Sequence, residues 1–155
     1  AAISARPLAP SFDLMFETCT LAVFSLMNSS AAIPGSAPER EPLEHVLLAE
    51  RQLKEGTADG GSGRPVVFFI YGGSWANGAK ETYSFVGEAF SARGFVTVIA
   101  DYRLVPEVRF PAFVEDGALA LRHVRDTIAD HGGSPDQIHL VGHSAGAYNA
   151  MMLAL

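Results

Sequence analysis

One cysteine, Cys19, occurs in 155 residues. An internal disulfide and a zinc site built from a cysteine cluster are therefore excluded. Positive charge is also scarce: 11 Lys and Arg stand against 17 Asp and Glu, a formal net charge of −6. No Lys/Arg cluster interrupts that acidic balance, so no nucleic-acid partner is expected. Long apolar runs are missing too. The best, Leu14 to Met27 (LMFETCTLAVFSLM), carries Glu17 and falls short of the ~20 apolar residues a membrane-spanning helix needs, so no membrane span is expected. As a leader it has only Arg6 upstream and Ser29-Ser30-Ala31 downstream, and Glu17 and Thr18 interrupt its apolar run. An amphipathic helix suits it better, because Phe12, Phe16, Cys19, Val23 and Leu26 recur at helical spacing. Lacking a clear leader, the chain leans toward a cytoplasmic location. What is abundant is hydrophobic content, 48% against 18% charged, enough for a packed core.

Residues 31–42 (AAIPGSAPEREP) hold three prolines and read as a connector. Val46 to Ala49 is a short apolar run that fits a strand or a short helix, and Gly56 to Pro65 (GTADGGSGRP) reads as a flexible loop. The pattern then becomes regular. Val66 to Tyr71 (VVFFIY) and Phe95 to Ala100 (FVTVIA) are continuous β-branched and aromatic runs, the mark of strands buried on both faces of a parallel sheet. Ile138 to Val141 is a third. Between them, Thr82 to Arg93 predicts a helix with Tyr83, Val86 and Phe90 inward and Gly94 as its stop. A second helix starts at Pro111, with Val114, Ala118, Leu121, Val124 and Ile128 inward and Gly132-Gly133 at its end. Ala145 to Leu155 opens a third. Strand and helix alternate, which predicts an α/β fold with a mostly parallel sheet between two helical layers.

Two glycine-framed segments sit at strand ends. Gly142-His143-Ser144-Ala145-Gly146 follows the third strand and precedes a helix. A G-x-S-x-G frame in that context predicts a nucleophile elbow, a tight turn that holds one hydroxyl clear of its neighbours. Ser144 is the nucleophile candidate; serine is weakly nucleophilic until a base takes its proton. Tyr71-Gly72-Gly73-Ser74-Trp75 follows the first clear strand. Glycines there let the backbone turn its amides toward a ligand. Gly73, Ser74 and Ala145 are the candidate donors to an oxyanion. Gly73 to Gly78 also has the G-x-x-x-x-G spacing of a phosphate loop, but Ala79 follows and Lys80 comes one place late, so nucleotide binding is not expected.

Together these segments resemble the α/β-hydrolase fold, in the esterase branch that includes hormone-sensitive lipase and bacterial carboxylesterases. Tyr71-Gly72-Gly73-Ser74-Trp75 resembles the family's H-G-G-x-W oxyanion loop, a variant shared with kynurenine formamidases. Asp101-Tyr-Arg-Leu-Val-Pro-Glu107, continuing to Phe110-Pro111, is similar to its D-Y-R-L-x-P-E segment, and Gly142 to Gly146 to its elbow. The resemblance implies that Ser144 is catalytic, that Tyr71, Gly72, Trp75, Gly142, His143 and Gly146 support the motifs, and that Asp101 is structural. Arg103, Glu107, Glu115 and Asp116 are expected to form ion pairs. Tyr71 stands where the family has His, and Ser74 fits its position provided its backbone angle is not one only glycine adopts.

The resemblance also implies the triad order Ser, Asp or Glu, His. No acid or histidine follows Ser144. His45, His123, His131, His139 and His143 all precede it and are read as structural. The expected organisation is an N-terminal helix and connector over 1–42, capping the site, and the N-terminal part of a catalytic α/β-hydrolase domain over 43–155. A missing C-terminal segment or a second chain would supply the triad acid and His and cover the far edge of the third strand. The expected activity is serine carboxylesterase action on short or medium acyl esters, with no metal and no cofactor implied. The alternatives are an inert fragment or pseudo-hydrolase that acts as a binding module and, within the class, a kynurenine-formamidase-like amide hydrolase.

Overall fold

The computed structural model describes residues 21–26, 46–49 and 63–155. Strands β1 (Leu21–Leu26), β2 (Val46–Ala49), β3 (Arg64–Ile70), β4 (Val96–Ala100) and β5 (Gly133–His143) form one sheet in the order β1-β5-β3-β4-β2. The helices are α1 (Ser84–Ser91), α2 (Ala112–Thr127) and α3 (Ala145–Ala154). The central strands β5, β3 and β4 are parallel, and β1 and β2 flank them antiparallel. Val66 to Ile70 and all of β4 are buried, as their runs of β-branched and aromatic residues predict. Each buried Val, Ile or Phe among them contributes roughly 1.5–3 kcal/mol by leaving water.

From β3 the chain crosses one way to β4, then back over β3 to β5. Strand-helix-strand crossovers are right-handed in nearly all cases, so opposite directions place α1 and α2 on opposite faces. The side chains agree. Phe69, Tyr71 and His143 meet Tyr83, which leads into α1, whereas Val66 and Ile128 close together on Gly133 from the other face. Gly117 lets Leu153 approach to within 3.2 Å of where a methyl group would sit, which brings α3 against α2.

Several expectations need correction. Residues 21–26, assigned to an amphipathic helix, form strand β1, paired along β5 from Leu21↔His143 to Leu26↔Ile138. The far side of β5 is therefore covered, since an apolar strand edge gains by pairing its open amides and carbonyls. The rest of the expected helix, the connector 31–42 and residues 56–62 of the flexible loop lie outside the described residues. The Val46–Ala49 ambiguity resolves as a strand. β5 starts earlier than Ile138, where Gly133 pairs with Arg64 across a bulge. The first helix begins as a 3₁₀ turn over Lys80–Tyr83. The buried face of α2 is Phe113, Gly117, Ala120, Leu121 and Val124, so Val114 and Ala118 are only half-buried.

Candidate active site

Because β3, β4 and β5 are parallel neighbours, their carboxyl ends open on the same side of the sheet. One motif follows each of them: Tyr71–Trp75 after β3, Asp101–Glu107 after β4, and the elbow at the end of β5. Ligand sites of open α/β sheets form in the crevice at these ends, where the strand order reverses.

Ser144 caps α3 with φ 53° and ψ −118° and is exposed. A non-glycine residue at that angle costs about 1–3 kcal/mol and persists only where its surroundings hold it. Here two close approaches hold it. A methyl group on Gly142 would strike the Gly146 carbonyl and lie 2.6 Å from the Ala147 Cα. One on Gly146 would strike the carbonyl oxygens of Ile70 and Tyr71. The bare glycine frame thus packs β5, β3 and α3 tightly around the serine.

The loop after β3 meets the elbow directly. A methyl group on Gly72 would lie 2.9 Å from the Ser144 Cβ. Gly73 (φ 129°) turns the chain sharply, and its carbonyl accepts from the amides of Ala76 and Asn77, both at 3.0 Å. Ser74 and Trp75 follow with φ 54° and 57°. Positive φ is uncommon for residues with a side chain, so both positions are strained.

Tyr71 anchors this loop. Its hydroxyl donates to Asp101 Oδ1 at 2.9 Å. The same carboxylate accepts from the Lys80 amide and from Lys80 Nζ, both at 2.8 Å. One aspartate therefore holds both ends of the loop 72–79. The Tyr71 ring stacks on Tyr102 and Tyr83, with Gly78 closing over it, and the Tyr102 hydroxyl donates to the Tyr71 carbonyl. Burial and the neighbouring Asp101 charge hold the Tyr71 hydroxyl well above the usual tyrosine range, so it stays a donor. The hydrogen bond to Asp101 likewise holds Lys80 in its charged form. Tyr71→Phe keeps the ring but removes one of three donors to a carboxylate. It is expected to cost about 1–2 kcal/mol, read from the urea denaturation midpoint.

Arg103 joins the Asp101–Glu107 segment to α2 by a bidentate pair with Asp116, whose carboxylate also accepts from the Arg103 amide at 2.9 Å. The hydrogen bond that Arg103 donates to Asp116 raises the guanidinium pKa most, and the charges of Asp116, Glu107 and Glu115 add to it.

Both ring nitrogens of His143 are buried and lack a partner among the described residues. Nδ1 lies 2.9 Å from where a Gly72 methyl would be, and the ring centre is 6.3 Å from Tyr83. Burial lowers its pKa below the ordinary imidazole value. The unfolded chain then binds the proton more readily than the folded one. Stability from this group is full above pH ~6.5 and is lost as pH falls through the lower folded value. His143→Gln is expected to flatten that acid-side fall, measured by urea melts between about pH 7 and 5. His123 lies on α2, His131 in the 3₁₀ turn after it, and His139 on β5 with its ring edge against Phe95. His45 lies outside the described residues.

Two residues of this neighbourhood were not singled out from sequence. Lys80 drew notice only as a misplaced phosphate-loop lysine. Asn149 accepts a hydrogen bond from Trp75 Nε1 at 3.0 Å, and its one sequence signal is being polar within the small and apolar run Ala147 to Leu155. No group of three or more His, Cys, Asp or Glu suited to a metal ion occurs among the described residues.

The BD-FAE family model matches residues 56–155. The chain belongs to the BD-FAE family. A probable isoprenylcysteine alpha-carbonyl methylesterase of Arabidopsis thaliana is 39% identical over 87 residues, 56% of this chain and 18% of the relative. Carboxylesterase NlhH of Mycobacterium tuberculosis is 37% identical over 91 residues, 58% of this chain and 28% of the relative. Among solved structures, the carboxylesterase EstE1 from a metagenomic library is 36% identical with a TM-score of 0.57, covering 59% of this chain and 32% of that one. The Thermogutta terrifontis esterase Est2 is 29% identical, again at 0.57, covering 68% and 37%. This BD-FAE chain therefore has the α/β-hydrolase fold in part: it spans less than a third of the two curated relatives named. No helix among the described residues is long and apolar enough to cross a membrane.

Proposed function

We propose that this chain carries the nucleophile and oxyanion loop of a serine carboxylesterase acting on short or medium acyl esters. The strained Ser144, exposed at the end of β5 with Gly72 against its Cβ, carries the reading. Strain of this kind is kept where it presents a reacting group. Ser144 Oγ attacks the ester carbonyl carbon while a histidine takes its proton. The carbonyl oxygen becomes an oxyanion, stabilised by the amides of Gly73, Ser74 and Ala145. The intermediate collapses to an acyl-serine as the C–O bond to the leaving group breaks, and the protonated histidine gives its proton to the leaving oxygen, releasing the alcohol; water then cleaves the acyl-serine by the same route. In the order that the resemblance implies, the histidine and its acid come after the serine. The similarity to a carboxylesterase and a methylesterase supports ester over amide cleavage.

The test is a fluorophosphonate reaction on the native full-length protein, followed by peptide mass analysis. One adduct, on the peptide that holds Ser144, is the expected result. No adduct, or one on another residue only, rejects the reading.

A further inference from the structure

We propose that Asn149 is a positioning residue that holds the oxyanion loop in register with Ser144 through its hydrogen bond from Trp75. This rests on the esterase reading above and adds a residue to it.

Ser74 and Trp75 both have positive φ, and Trp75 is a bulky residue in a region such residues avoid. Bonds inside the loop run from Ala76 and Asn77 to Gly73 and leave the backbone of Ser74 and Trp75 to be fixed from outside. Two bonds reach Trp75 from outside. The Val105 amide donates to its carbonyl at 2.8 Å, and its own indole Nε1 donates to Asn149 Oδ1 at 3.0 Å. Phe113 stacks on the indole and Tyr148 meets it edge-on, both at 5.6 Å. The first bond ties the loop to the segment after β4. Of these two bonds, the second ties it to α3, the helix that Ser144 itself caps.

Asn149 is costly where it stands. It is 1% exposed, and its Nδ2 has no partner among the described residues. A buried amide whose NH2 group is unpaired destabilises a fold relative to an apolar residue of similar size. Alanine is also the better helix former at such a position. The unpaired NH2 group counts against asparagine here on stability, whereas its Oδ1 does what alanine cannot: it accepts the Trp75 indole N–H. It sets the distance between the helix that presents the nucleophile and the amides that meet the oxyanion. Such preorganisation acts on the transition state rather than on ground-state binding.

The experiment measures kcat and KM of the full-length protein on a p-nitrophenyl acyl ester for four forms: wild type, Trp75→Phe, Asn149→Ala and the double variant. Ser144→Ala is the control. A displaced oxyanion donor costs about ten- to hundredfold in rate. Each single variant is expected to lose that much in kcat with KM within about twofold, and the double variant to lose no more than the worse single one. Unchanged kcat in either single variant, losses that multiply in the double variant, or a rise in KM alone overturns the proposal. Trp75→Phe keeps an aromatic ring in place, so it decides the matter even if Asn149→Ala does not fold. Wild-type turnover that Ser144→Ala does not abolish rejects the esterase reading itself, and this proposal with it. Turnover that needs Ser144 but ignores Trp75 and Asn149 overturns this proposal alone.

Discussion

Replacing Ser144 by alanine is expected to lower ester turnover by about 10⁴-fold or more, with KM little changed. On the proposed esterase reading, this hydroxyl forms the acyl bond. What remains after its removal is binding and oxyanion stabilisation, worth roughly 10³–10⁴ over water in enzymes of this type. A second variant separates chemistry from folding. Ser144 sits at φ 53°, an angle that suits glycine. Ser144→Gly removes the nucleophile and the strain together, so it is expected to abolish turnover while stabilising the protein by about 1 kcal/mol. A parallel loss of activity and stability in Ser144→Gly would mean the backbone at this position is not strained. Turnover by Ser144→Ala within tenfold of wild type would reject Ser144 as nucleophile.

Gly146→Ala is expected to cost about 3 kcal/mol or more, and the sign carries the information. Gly146 lies inside α3, where exchange of glycine for alanine ordinarily stabilises by up to about 1 kcal/mol. Here the added methyl would meet the carbonyls of Ile70 and Tyr71, with the Ile70 carbonyl carbon only 2.6 Å away. Those are backbone atoms at the end of β3, so they cannot turn aside as a flexible side chain can. Relief requires α3 to move off the sheet and take Ser144 with it. The measurement is the urea midpoint at constant m-value. Gly94→Ala is the comparison. Gly94 has φ 93° but nothing within 4 Å of an added methyl, so its cost is backbone strain alone, about 1 kcal/mol. Equal losses at the two positions would show that close packing of α3 on β3 is not what Gly146 serves.

Elements with a strong local signal were legible in the sequence. Val66 to Ile70 and β4 are runs of β-branched and aromatic residues, Gly94 stops the first helix, and Pro111 caps the second. β1 was not, because Leu21 to Leu26 fits a helical stripe as well as a strand. Its pairing partner, β5, lies more than a hundred residues away. The early part of β5 escaped for the opposite reason. Ser134 to Gln137 carries no apolar alternation, and it is a strand because Gly133 pairs with Arg64. On α2, the expected inward face missed Gly117, which is buried by the approach of Leu153 rather than by hydrophobicity.

The candidate site divides in the same way. The glycine frame around Ser144, the glycine pair after β3 and the Asp101 segment were evident from sequence alone. Each answers a backbone demand met within a few residues: a tight turn, a positive φ or a close approach. The tertiary structure alone decided what braces them. Tyr71 reaches Asp101 across 30 residues, Lys80 reaches it across 21, and Trp75 reaches Asn149 across 74. These side chains meet because parallel pairing brings three strand ends to one side of the sheet. Strand order is set by burial of the whole core, and no local pattern records it.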